Sequence, residues 1–224
     1  MKKKENNKVK EVSMPTIRRL PLYLSFLNSF KKKEKKHITA SEISRELYID
    51  STQITKDFSA IQVRGKTRIG YEIINLIDEI ETFLGYHIHR KAFIAGVGNL
   101  GTALTKFTKF YDEGIEIIKG FEIDSKKIGN EINDIKIFNI ASISEHFNIT
   151  PVDVGIIAVP NNQAQEVADI MVLCGIKALW NFTTMPLSAS NEIIIENTCI
   201  DSSLAIIKWK LNKNKPLVYK NRII

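Results

Sequence analysis

KAFIAGVGNLG, residues 91–101, decides how the second half of this chain folds. Ala92–Ala95 is a short apolar run of strand type that enters Gly96-Val97-Gly98-Asn99-Leu100-Gly101 without a polar break. TALTKFTKF, from Thr102, then continues with helical character. A G-x-G-x-x-G turn between strand and helix has a mechanical meaning. Its first glycine allows the tight turn, its second lets a pyrophosphate approach the backbone, and its third lets helix and strand pack closely. A second apolar run, IEIIKGFEID (115–124), delivers Glu122 at 21 residues beyond Gly101, where a ribose-binding acid belongs. A carboxylate there accepts from both ribose hydroxyls and repels a 2′-phosphate, so the spacing predicts NAD(H) in preference to NADP(H). Asp124 reads either as a helper at the ribose or as the cap of a short helix at Ser125–Ile128.

Further strands are expected at VGIIAVP (154–160), ALWNF (178–182) and EIIIEN (192–197), with a helix from Asn162 to Leu173. Strands alternating with helices imply an α/β unit with a Rossmann-type parallel sheet. Asp201–Leu211 closes it as a terminal helix with Leu204, Ile207 and Leu211 on one side.

The first part of the chain has a different texture. Ser13-Met14-Pro15 reads as cap and first turn of a helix whose apolar face is Ile17, Leu20, Leu24, Leu27 and Phe30, with Pro21 able to kink it. In residues 38–61, Thr39 or Ser41 caps a short helix through Leu47, Tyr48–Asp50 turns, and Ser51 caps a second helix with Ile54, Phe58 and Ile61 inward. That is the helix-turn-helix pattern. VRGKTRIGY (63–71) reads as a small hairpin wing, and residues 72–84 as an amphipathic helix. The second helix exposes Thr52, Gln53, Thr55, Lys56 and Ser59, which suit base edges and phosphates, or else a merely soluble face. Arg64, Lys66 and Arg68 on the wing suit phosphates or a minor groove, or a solvated hairpin. Arg18 and Arg19 clamp phosphate or keep the first helix wet.

Charge follows the same division. Residues 1–90 hold 18 Lys and Arg against 11 Asp and Glu, whereas residues 91–207 hold 8 against 14. The six basic residues of 208–224 have no acid among them. A polyanion partner is thus expected for the first unit only. The domains expected are a flexible basic arm at 1–13, a winged-helix DNA-binding unit at 14–86, a dinucleotide unit at 91–200, the terminal helix at 201–211 and a basic tail at 212–224. No apolar run suits a membrane span, the lysine-rich start does not look like a secretory signal, and two cysteines without Cys-x-x-Cys predict a reducing, cytoplasmic setting. The four histidines show no metal spacing, Cys174 reads as a core residue, and no nucleophile elbow is present. No metal and no catalysis are expected.

Taken in order, these motifs resemble the Rex family of redox-sensing transcriptional repressors over about residues 14–211. The residues that carry the resemblance are Arg19-Leu20-Pro21-Leu22-Tyr23, Ile54-Thr55-Lys56-Asp57-Phe58-Ser59, Arg68-Ile69-Gly70-Tyr71 and Gly96–Gly101. Phe121-Glu122-Ile123-Asp124, Ile156-Ile157-Ala158-Val159-Pro160 and Asn181-Phe182 follow in register. The resemblance implies a homodimer that binds double-stranded operator DNA when NADH is low and releases it when NADH rises, with the terminal helix exchanged between subunits. It implies pyrophosphate at Gly96–Gly101 (Val97, Asn99 and Leu100 included), and the ribose at Glu122 with Ile123 and Asp124 beside it. The nicotinamide end falls near Ala158, Val159, Pro160, Asn181 and Phe182. It sets Arg18, Arg19, Tyr23 and Ser51, with the recognition-helix and wing residues above, on the DNA side.

Departures from the pattern are equally specific. Thr55 stands where the family has arginine, Ala60-Ile61-Gln62 where it has an aromatic-Phe-Gly stretch, and Thr183-Thr184 where it has Ala-Pro. The family couples its sites through an arginine, a tyrosine and an aspartate; the corresponding residues here are Ser25, Phe107 and Asp201. Two rivals remain in view. An NAD-dependent oxidoreductase would need a proton donor or acceptor at the nicotinamide, where no His or Lys is convincingly placed. A CoA-binding scaffold would set a 3′-phosphate against Glu122.

Overall fold

The computed structural model describes residues 12–31 and 35–213. The expected basic arm through Glu11 and the tail beyond Lys213 lie outside the described residues. Two compact units follow one another, the first ending at His87 and the second beginning at Ile88.

In the first unit α1 (Met14–Asn28) starts where Ser13 accepts the Thr16 N–H, and it buries Thr16, Leu20, Tyr23, Leu24 and Leu27. The helix runs through Pro21. β1 (His37–Ile38) pairs antiparallel with β2 (Tyr71–Glu72). α2 (Ala40–Leu47) begins with a full capping box: Thr39 accepts from the Glu42 N–H and Glu42 accepts from the Thr39 N–H. Tyr48, at φ 56°, ends α2 in the left-handed region. α3 (Ser51–Ala60) is capped by Asp50, which accepts from the N–H groups of Thr52 and Gln53, and not by Ser51 as expected. The carboxylate also opposes the partial positive charge at the helix start. α4 (Ile73–Leu84) ends at Gly85, φ 74°. One core joins these helices, with Phe58 edge-on to both Tyr23 and Tyr71 at ring-centre distances of 5.2 and 5.0 Å.

The wing is smaller than the expected hairpin: a single bridge, Lys66 to Gly70, closes it. Gly70 has φ +88°, and a Cβ there would lie 2.3 Å from the Ile38 carbonyl oxygen, so only glycine fits.

The second unit is a seven-stranded sheet in the order β5-β6-β4-β3-β7-β8-β9. Its strands are β3 (Arg90–Ala95), β4 (Ile115–Glu122), β5 (Glu131–Ile132), β6 (Ile135–Asn139), β7 (Val154–Ile157), β8 (Ala178–Asn181) and β9 (Ile194–Asn197). All neighbours pair parallel except β5 with β6. Alternate residues of β3 serve opposite faces. Phe93 and Ala95 pack in the larger cluster with Ile143 of α7 (Ile143–Ile149) and Val167 and Met171 of α8 (Ala164–Cys174), while Ala92 and Ile94 pack in a second cluster with Leu104 and Trp180.

Three expectations change here. TALTKFTKF is not one helix: α5 (Asn99–Thr105) stops, and α6 (Lys109–Asp112) follows as a separate turn. The β5–β6 hairpin and α7 were not foreseen. Residues 125–128 form no helix; Asp124 instead accepts from the Lys126 N–H in a turn. The terminal helix α9 (Ile200–Asn212) is exposed along its length, with Ile200, Leu204, Ile206, Ile207, Trp209 and Leu211 each 53–64% accessible.

Candidate functional site: a dinucleotide cradle and a nucleic-acid interface

The strand order reverses between β3 and β7, and four loops gather at the C-terminal ends of the strands beside that point. Such a switch point is where open α/β sheets form a ligand crevice. The loop after β3 is Gly96–Gly98. Gly96 has φ +88°, and a Cβ on it would meet the Ala158 carbonyl oxygen at 2.4 Å. A Cβ on Gly101 would sit 1.9 Å from the Gly96 carbonyl oxygen. Gly98 differs, because a Cβ there meets nothing within 4 Å. Two glycines are thus required by the protein itself, whereas Gly98 borders open space. Asn99 and Leu100 are exposed beside it, whereas Val97 is buried.

Glu122 stands at the end of β4 and is tied to the glycine turn. Its Oε2 accepts from the Val97 N–H at 2.9 Å and its Oε1 from the Ile123 N–H at 2.8 Å. Burial pushes this carboxyl up, but the N–H donors of Ile123, Val97 and Asp124, with the Lys127 charge, outweigh it and hold it below the usual range. The Asp124 N–H reaches Oε1 as well, at a long 3.5 Å, so Oε2 keeps the freer lone pair for a ribose hydroxyl. Lys127, which the sequence reading missed, donates to the Val97 carbonyl at 3.1 Å and stands 3.6 Å from Glu122 Oε2.

The loops after β7 and β8 are less uniform. Pro160 is exposed and Ala158 half-buried, while Val159 is buried in the core. Asn181 is 1% exposed and its side chain is committed internally. Its amide donates to the Met185 carbonyl and Asn197 Oδ1, and its oxygen accepts from the Thr183 N–H and hydroxyl. Asn181 therefore pins the 181–185 loop, and its side chain is spent within the protein. Phe182 packs on Trp180 at 4.8 Å between ring centres. Thr184 pairs with Asn161, so the two threonines that depart from the family pattern are built into this loop.

On α3, Thr52, Thr55, Lys56 and Ser59 are exposed. Thr55 and Ser59 line two grooves: one of about 480 Å³ shared with Arg64, Lys66 and Arg68 of the wing, and one of about 520 Å³ shared with Ser13 and Lys56. The Thr55 hydroxyl donates to the Ser51 carbonyl, so it meets a ligand with its methyl group and spare lone pairs.

Three residues expected on DNA donate to one buried carboxylate. The Asp57 carboxylate, 1% exposed, accepts from Arg19 Nε and Nη2 at 2.7 Å each, from the Tyr23 hydroxyl at 2.7 Å, from Gln53 Nε2 at 2.9 Å and from the Thr16 hydroxyl at 3.0 Å. Tyr23 is fully buried and the Arg19 side chain 12% exposed. Arg19 and Tyr23 thus fasten α1 to α3 through Asp57, while Gln53 braces the same carboxylate from within α3. Burial raises the Asp57 carboxyl, and these donors overcome it, holding it below the ordinary range. Ser51 is half-buried, and Arg18 remains exposed.

Of the residues expected to couple the sites, Ser25 is exposed on α1, Phe107 in the bend after α5, and Asp201 in the first turn of α9. No group of three or more potential metal ligands occurs among the described residues, and no helix among them is long and apolar enough to cross a membrane.

A winged helix-turn-helix joined to a doubly wound dinucleotide fold is the build of a ligand-responsive DNA-binding regulator. Residues 11–59 match the family model "Putative DNA-binding protein N-terminus", and residues 87–185 match "CoA binding domain". The chain is 38% identical to the redox-sensing transcriptional repressor Rex of Bacteroides fragilis, over 95% of each chain. It is 37% identical to that of Caldicellulosiruptor bescii, over 96% of this chain and 99% of the relative. Among solved structures, RSP in complex with β-NAD+ and operator DNA matches with TM-score 0.86 at 31% identity, over 91% of this chain and 94% of that one. RSP in complex with β-NADH matches with TM-score 0.82 at 30% identity, over 91% and 96%. The chain belongs to the Rex family of redox-sensing transcriptional repressors.

Proposed function

We propose that the protein is a homodimeric repressor that holds operator DNA when NADH is low and lets go when NADH rises, acting as a regulator without catalysis. The observation that carries this reading is that one chain holds both the recognition-helix edge with its basic wing and the Gly96–Gly101 and Glu122 cradle. RSP, its structural relative, was solved with β-NAD+ and operator DNA together. When bound, NAD(H) supplies the redox signal; the chain's own residues bind it and transmit its state. Glu122 would accept the adenosine ribose, the open space above Gly98 would take the pyrophosphate, and Pro160 and Ala158 would border the nicotinamide. CoA fits this cradle less well, because its 3′-phosphate would face the Glu122 carboxylate.

On the DNA side, Thr52, Thr55, Lys56 and Ser59 would enter the major groove, with Arg64, Lys66 and Arg68 along the backbone. Binding is expected to weaken steeply with salt, each phosphate contact adding about 0.9 to the log–log slope. Lys66→Ala and Arg68→Ala should each lower that slope by about one unit, measured by fluorescence anisotropy across a salt series. An unchanged slope in both would remove the wing from the interface.

The uncovered apolar face of α9 supports exchange of this helix with a second copy. Such a surface on a lone chain is an interaction site or an aggregation liability. Light scattering is expected to give a dimer for the full chain and a smaller species for Ile207→Asp with Trp209→Asp. A dimer unaffected by the double substitution would place the subunit contact elsewhere.

A further inference from the structure

Resting on the assignment of the adenosine ribose to Glu122, we propose that Lys127 sets how strongly this protein rejects a 2′-phosphate, narrowing its preference for NADH over NADPH. A lone carboxylate at the end of β4 would exclude a phosphate by plain repulsion. This carboxylate is not alone, since the Lys127 ammonium stands 3.6 Å from Glu122 Oε2. The ammonium is held in place, because one of its three protons goes to the Val97 carbonyl at 3.1 Å. Its side chain stays 39% exposed, against 12% for Glu122, so the ammonium remains open to solvent beside the carboxylate.

Electrostatics then give the sign. A 2′-phosphate close to Glu122 is close to Lys127 as well, and the attraction offsets much of the repulsion. A ribose bearing a free hydroxyl feels the lysine weakly, because it brings no charge. The lysine should therefore matter for NADPH and hardly for NADH. Lys127 also bridges Val97 to Glu122, and a purely structural role in that bridge would affect both nucleotides alike.

The test is a fluorescence titration of the full chain with NADH and NADPH, repeated for Lys127→Met, Lys127→Arg and Glu122→Gln. Lys127→Met is expected to weaken NADPH by about tenfold, the size of one charge-assisted hydrogen bond, while NADH changes far less. Lys127→Arg should keep the original ratio. Added salt should weaken NADPH binding to the unmutated chain more than to Lys127→Met. An equal loss for both nucleotides, or an unchanged ratio, would overturn the assignment to Lys127. Binding of NADH with no effect of Glu122→Gln on the ratio would instead overturn the ribose assignment. Failure of the unmutated chain to bind either nucleotide would remove the cofactor reading and this inference with it.

Discussion

Asp57→Ala is expected to cost the N-terminal unit about 3–5 kcal/mol, because it strips a buried ion pair of one partner and leaves the other uncompensated. Arg19, Tyr23, Gln53 and Thr16 all donate to this carboxylate, so four side chains lose their acceptor together. Because this cluster ties α1 to the recognition helix, operator binding should fall with stability. Thermal unfolding is the check, with Lys56→Ala, an exposed neighbour, as a control expected to stay within about 0.5 kcal/mol. The acid side carries the same signature. The folded carboxyl is held below its ordinary value, so its contribution is complete above about pH 3.9 and is lost as the pH falls through the folded value. Removing the carboxyl should flatten that part of the stability profile. If Asp57→Ala is no less stable than Lys56→Ala, the cluster is not what holds the recognition helix.

The second large effect separates two glycines that look alike in sequence. Gly101→Ala puts a methyl group 1.9 Å from the Gly96 carbonyl oxygen, a backbone clash that α5 can relieve only by moving off β3. Overpacking of this kind costs about 1–3 kcal/mol, and NADH binding should fall about tenfold or more with it. Gly98→Ala meets nothing within 4 Å and needs no positive φ, so the fold should melt as before. NADH affinity should nevertheless drop, because the methyl group occupies the space a pyrophosphate needs. Melting curves beside NADH titrations for both variants check this. Unaltered NADH affinity in Gly98→Ala would move the pyrophosphate away from this turn.

The glycine turn, the helix-turn-helix and the five parallel strands named in the sequence were legible because each is written locally, in apolar period and in residues with special backbone geometry. What escaped was either non-local or a misread turn. Asp57 entered the sequence reading only as part of the Ile54–Ser59 motif, since nothing adjacent in sequence reveals that Arg19 and Tyr23 converge on it from α1. Lys127 reaches the cradle only through the turn at residues 123–126, and spacing from Gly101 pointed to Glu122 alone. The β5–β6 hairpin did carry a signal: Asn133 and Asp134 both have positive φ, 51° and 64°, the two-residue turn that Asn and Asp favour. TALTKFTKF breaks at Lys106–Thr108 although its apolar spacing continues, because Thr105, Phe107 and Thr108 are weak helix formers and Phe107 turns outward.

NADH and operator DNA are expected to oppose each other through this chain. In the network the family resemblance implies, an arginine and a tyrosine would answer Asp201; Ser25 and Phe107 stand there instead, and neither can donate as those groups do. Losing a charged partner forfeits about 1.5–3 kcal/mol of hydrogen bonding, comparable to a whole allosteric coupling of about 1–3 kcal/mol. The direct measurement is operator affinity at one salt concentration with NADH absent and saturating. A fall in affinity that stays below about a hundredfold is predicted. No fall at all would contradict the redox-responsive reading, and a larger one would show that Ser25 and Phe107 are not where the coupling is weakened.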